Sequence, residues 1–131
     1  MNASPQSPGR NILVVEDDET LGRFLMELLQ AEGYSVRLAK DGEAGLKAYA
    51  DARPDLVLTD IYMPYVEGIG LINQIRANDQ TLPIIAMSGG HPKQGLTYLD
   101  VATCLGANAS LAKPFSSQML LNLLDGLLNA K

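Results

Sequence analysis

Five short apolar runs alternate with stretches of helical spacing, and this alternation constrains the fold more than any other feature of the chain. The runs cover residues 12–15, 34–39, 54–60, 83–87 and 109–112. They are rich in Val, Ile and Leu and most show no polar alternation, which is the pattern of strands covered on both faces. The stretches between them read as helices. From Thr20 onward Leu21, Phe24, Leu25, Leu28 and Leu29 recur at three- and four-residue spacing, and Gly33 stands where a helix C-cap is expected. Residues 43–52 carry the small Ala44, Gly45 and Ala48, suited to close packing, and residues 67–77 carry Ile69, Ile72 and Ile75. Residues 92–105, closed by Gly106, and residues 115–129 complete the series.

Strand and helix alternating five times imply a parallel sheet whose right-handed crossovers place helices on both faces. The expected fold is α/β, a single doubly wound five-stranded sheet with the flavodoxin-like order 2-1-3-4-5. The 131 residues, 47% of them hydrophobic, suit one domain, expected over residues 11–131. Residues 1–10, rich in Ser, Pro and Gly, are expected to form a disordered tail. Ten basic residues against fifteen acidic ones give a formal charge of -5, and the basic residues are scattered, so direct nucleic-acid binding is not expected. Cys104 is the single cysteine, which excludes an internal disulfide and suits a reducing compartment. No apolar run reaches the length of a membrane span and the N-terminal residues lack a signal-peptide core, so the expected location is the cytoplasm, without membrane contact.

The chemistry gathers at strand ends. The first run breaks into Glu16-Asp17-Asp18-Glu19, and the third ends in Asp60. In the order 2-1-3-4-5, strands one and three are neighbours at the topological switch point, so Glu16, Asp17 and Asp60 converge on one crevice. Asp after a strand also serves as a turn or N-cap residue, and a helix N-terminus accounts for Glu19 and Asp18 through its dipole. It accounts less well for Glu16 and Asp17, which abut the strand. Converging carboxylates need a positive partner. An all-oxygen donor set favours a hard cation such as Mg2+, and Lys113 at the end of the fifth strand offers an ammonium. With Ser88 ending the fourth run, the crevice is equipped for phosphoryl transfer, with Asp60 as nucleophile, Mg2+ and Lys113 on the phosphoryl oxygens and Ser88 as a hydrogen-bond donor.

These residues stand within Val-Val-Glu-Asp-Asp at 14–18, Leu-Thr-Asp-Ile-Tyr-Met-Pro at 58–64, Gly68, Ala-Met-Ser-Gly at 86–89 and Leu-Ala-Lys-Pro-Phe at 111–115. The ordered set resembles the receiver domain of two-component response regulators, over nearly the whole chain from Asn11. The resemblance implies that Asp60 accepts a phosphoryl group from a histidine kinase, a phosphotransfer protein or a small phosphodonor. It further implies that Asp17 binds Mg2+ directly beside Asp60 and the backbone carbonyl of Tyr62, that Glu16 binds it through water, that Lys113 contacts the phosphoryl group, and that the Lys113-Pro114 bond is cis. Asp18 lies one place beyond the implied acid pair and is left out of the site.

Gly89 and Gly90 leave room for an anion or form a plain loop; His91, before a proline, reads as a surface residue. Tyr62 either shields the phosphoryl group or is a passive loop aromatic. One position departs from the pattern. Receiver domains usually carry an aromatic residue three positions before the lysine; here that residue is Ser110, which cannot bury a ring and puts the usual packing switch in doubt. The last helix is broadly apolar, with Met119, Leu120, Leu121, Leu123, Leu124, Leu127 and Leu128 covering more than one core-facing stripe. Part of it is expected to stay exposed, either as an interface for a partner or homodimer or as a surface covered by a missing neighbour in a longer protein. The expected function is a phosphorylatable switch, not an enzyme on other substrates, whose signal passes to a downstream protein target or a linked output domain. A pseudo-receiver indifferent to phosphorylation is the alternative. A Mg2+-dependent phosphohydrolase would need an acid two residues after the nucleophile, where Tyr62 stands.

Overall fold

The computed structural model describes residues 10–61, 67–88 and 106–129, with residues 67–69 described through their backbone alone. The expected helix at 92–105 and the readings placed on Tyr62, Gly89, Gly90, His91 and Cys104 lie outside the described residues, as do residues 1–9. The elements in order are β1 (Asn11–Val15), α1 (Glu19–Ala31), β2 (Ser35–Ala39), α2 (Gly42–Asp51), β3 (Leu56–Asp60), α3 (Glu67–Asn78), β4 (Ile84–Ser88), β5 (Ala109–Ala112) and α4 (Ser117–Asn129). All strand pairs are parallel, as the alternation implies, and the sheet runs in the expected order β2-β1-β3-β4-β5. No described helix is long and apolar enough to cross a membrane.

Period-two alternation along the central strands divides the core in two. Leu13 and Val15 of β1, Val57 of β3, and Ile84 and Ala86 of β4 face one side, where Leu71, Ile72 and Ile75 of α3 meet them. Ile12 and Val14, Leu56 and Leu58, and Ile85 and Met87 face the other, against Leu25 and Leu29 of α1 and Leu120 and Leu124 of α4. Because both faces are covered, β3 and β4 are buried at every residue, whereas the edge strands β2 and β5 are only partly so.

The element ends differ from the sequence expectation by a residue or two, each for a local reason. Tyr34 donates its N–H to Leu29 O at 3.1 Å, closing α1, so β2 begins at Ser35. Gly33 makes that closure with φ 100°, a left-handed backbone that glycine adopts without strain. Pro83 has no N–H to give, so β4 starts at Ile84 and runs on to Ser88. The last helix begins at Ser117, not at residue 115, because Ser116 Oγ accepts the N–H of Met119 at 3.1 Å and serves as its cap.

Candidate functional site

The register of the sheet brings the strand ends together before any side chain is considered. Val15 pairs with Thr59, so Glu16 and Asp60 leave β1 and β3 side by side. Asp60 pairs with Met87 and Ser88 with Ala112, which sets Ser88 and Lys113 one step further along the adjoining strands. Lys113 N–H donates to Ser88 O at 2.7 Å and continues the ladder past β5. The peptide bond from Lys113 to Pro114 is cis.

One carboxylate oxygen each from Glu16, Asp17 and Asp60 lies within 4.8 Å of the others. Glu16 and Asp60 are buried and Asp17 is exposed at the mouth of the crevice. Lys113 Nζ reaches across, donating to Glu16 Oε1 at 3.0 Å and to Asp60 Oδ2 at 3.2 Å. Two of the three carboxylates thus share one ammonium, and among the described residues the cluster holds more acid groups than this one cation balances. Burial raises the Glu16 carboxyl well above its ordinary range and the nearby Asp60 charge adds to this, while the hydrogen bond from Lys113 opposes it. Burial works against the Lys113 ammonium, but its bond to Glu16 and the charge of Asp60 outweigh the loss and hold its pKa above the usual value. The ammonium therefore persists, with its side chain only 22% exposed.

Asp18 stands apart from this group. Its side chain caps α1, accepting the N–H of Thr20 at 2.9 Å and of Leu21 at 3.1 Å, so the helix accounts for its acid as the sequence suggests. Ser88 is buried at the end of β4. Ser110 stands exposed on β5, paired in register with Ala86. Tyr62, the remaining expected site residue, lies outside the described residues.

Helical spacing did not reveal that Phe24 would be half uncovered. Its exposure is 50%, and it lines a groove of about 450 Å³ with Leu21, Lys113, Pro114 and Phe115. At ~100° per residue Phe24 falls about 120° from the line midway between the buried Leu25 and Leu29, off the covered stripe. Which residues form that stripe is set by packing, so the sequence alone carried no such signal for Phe24. In α4, Leu120 and Leu124 are fully buried, and Leu121, Leu123, Leu127 and Leu128 pack partly against the core. Met119, 53% exposed, is the residue that carries the expected exposure.

The family model of the response regulator receiver domain matches residues 12–125. The transcriptional regulatory protein RprY of Bacteroides fragilis is 40% identical over 109 residues, which are 83% of this chain and 45% of RprY. Response regulator MprA of Mycolicibacterium vanbaalenii is 35% identical over 117 residues, 89% of this chain and 49% of its own. This chain thus spans about half the length of these relatives. Among solved structures, a putative response regulator from Chloroflexus aurantiacus superposes with a TM-score of 0.81 at 32% identity, covering 92% of this chain and 98% of that one. Response regulator TrrA of Thermotoga maritima gives 0.79 at 30%, covering 91% and 99%. With a match that runs from the first strand into the last helix, the chain belongs to the response regulator receiver domain family.

Proposed function

We propose that this domain accepts a phosphoryl group on Asp60 in a Mg2+-dependent reaction and that the phosphorylated state is read by a partner. The observation that carries this reading is the convergence of Glu16, Asp17 and Asp60 with Lys113 bridging two of them. The donor set fits the metal, since it is made wholly of carboxylate oxygens and carries more negative charge than one ammonium balances. Asp17 and Asp60 would hold the ion directly, Glu16 through water, and the Tyr62 carbonyl would complete the protein ligands. Mg2+ so bound would supply positive charge for the phosphoryl oxygens during transfer. TrrA was solved with Mg2+ and BeF, which supports the same assignment here.

The chain's own residues divide the work. The Asp60 carboxylate attacks phosphorus, an O–P bond forms as the P–N bond of a phosphohistidine breaks, and the donor imidazole leaves with the bonding pair. Lys113 turns from Asp60 Oδ2 toward a phosphoryl oxygen, a short step for a flexible ammonium. The Ser88 hydroxyl, at the end of the adjoining strand, donates to another. The phosphodonor is a histidine kinase or phosphotransfer protein, and the output is a downstream protein or a linked domain, in keeping with relatives about twice as long. A homodimer through the last helix remains part of the proposal. A second reading, a module indifferent to phosphorylation, is favoured by Ser110, which has no ring to move between two packings.

Adding beryllofluoride and Mg2+ to the 15N-labelled chain tests both. The switch reading expects amide shifts that spread from the crevice across β4, β5 and α4 and vanish in Asp60→Asn. Shifts confined to the crevice favour the module, and no Asp60-dependent shift refutes phosphoacceptance.

A further inference from the structure

The three residues between β1 and α1 carry two of the converging acids, and their conformation is fixed from both ends. Glu16 N–H donates to Ala39 O at 2.9 Å, tying the strand side to the end of β2. On the helix side the ties run through Asp18. Its carbonyl accepts the N–H of Gly22 at 2.8 Å, and its side-chain oxygen accepts those of Thr20 and Leu21. Its own N–H turns back and donates to Glu16 Oε2 at 3.2 Å. Glu16 is thus gripped at both carboxylate oxygens, by Lys113 on one and by Asp18 on the other. Asp17 stands between two anchored residues, and the converging group is Glu16, Asp17 and Asp60 without Asp18.

We propose that Asp18 is a positioning residue for the acid pair: by capping α1 it holds the loop that aims Glu16 and Asp17 into the crevice, and so sets affinity for a divalent cation. This rests on the reading of the crevice as a cation site. The physical reason is preorganisation. Like charges must be held close for a cation to use them, and any freedom they keep before binding is lost on binding, which weakens affinity. A capped loop has already given up that freedom at folding. Asp18 acts here through its cap, its carboxylate accepting the helix N–H groups; its charge would also draw a cation, and Asp18→Asn separates the two.

The test uses the full chain titrated with MgCl2 at fixed ionic strength, read by backbone amide shifts, beside urea unfolding in metal-free buffer. Asp18→Ala removes the cap and raises the Kd for Mg2+ about fivefold, the size of one lost cap. Asp18→Asn and Asp18→Ser keep a capping oxygen without the charge, and both stay within about twofold of the unaltered chain. Asp41→Ala is the control: Asp41 caps α2 by accepting Ala44 N–H at 2.7 Å, so its loss lowers stability comparably and leaves Mg2+ affinity unchanged. An unchanged Kd in Asp18→Ala overturns the proposal. So does equal weakening in Asp18→Asn, which would assign the effect to charge, or in Asp41→Ala, which would assign it to general loosening. If the unaltered chain shows no saturable Mg2+ shift, the cation-site reading falls and this proposal with it; saturable binding that is equal in Asp18→Ala sinks the cap alone.

Discussion

Asp79, between α3 and β4, shows what a single carboxylate does for a loop. It accepts from Arg53 Nε at 2.6 Å and from the N–H groups of Thr81 and Leu82 at 3.2 and 3.1 Å. The Arg53 guanidinium beside it, helped by the two N–H groups, holds its carboxyl well below the usual carboxylate range. Arg53 is half exposed, so the ion pair alone is worth no more than about 1 kcal/mol, and the charge-assisted bonds to backbone contribute the rest. Asp79→Ala is therefore expected to cost about 2 kcal/mol at pH 7. Because the folded carboxyl titrates below the unfolded one, this stability is present above the unfolded pKa of about 3.9 and is lost as pH falls below it. Urea unfolding of both chains at pH 7 and pH 3 should show the gap narrowing; a gap of constant size would mean that the ionised carboxylate is not what holds the loop.

At the scale of elements, packing decides what propensity leaves open. Gly45 lets α2 approach β1 so closely that a Cβ built on it would sit 3.0 Å from Val15 Cγ2. Among the described residues, Gly70 in α3 has nothing within 4 Å of the same position. Gly45→Val is expected to cost about 2 kcal/mol by overpacking, whereas Gly70→Ala should stabilise by up to ~1 kcal/mol through helix propensity. Thermal unfolding of the two variants checks this, and similar effects at both positions would show that the close approach is not a constraint. The small residues of α2 were legible as a packing signal because they lie at helical spacing. The fate of Phe24 and Met119 was not, since an apolar stripe wider than its neighbours can cover reads the same whether a given side chain is buried or left at its rim.

At the scale of the whole molecule, the crevice joins the ends of β1, β3 and β5, so a ligand held there braces elements distant in sequence. Mg2+ at a hundred times its Kd should add about 2.7 kcal/mol to the unfolding free energy. In Lys113→Met, Glu16 and Asp60 lose the ammonium they share, and the metal-free chain should lose about 3 kcal/mol, discounted from the cost of breaking a fully buried pair because Lys113 is partly exposed. Mg2+ should then recover more stability in that variant than in the unaltered chain; equal recovery would show that Lys113 does not compensate the acids.

Most of this architecture was readable from local pattern. Periodicities of two and of three to four residues are properties of neighbouring residues, so the type and order of the elements, and with them the parallel sheet, follow from the sequence alone. The sequence also supplied the acids at the ends of β1 and β3 and the lysine after β5. The tertiary structure alone decided which of these groups meet. Lys113 lies 97 residues from Glu16 and 53 from Asp60, and it bridges both because ladder register sets adjacent strand ends a few ångströms apart. The same fold sends Asp18 to the α1 terminus while its immediate neighbour Asp17 turns to the crevice. Adjacent acids of similar chemistry carry no local mark of that division, because it depends on which orphan N–H groups and which distant charges the packed helix and sheet present to each.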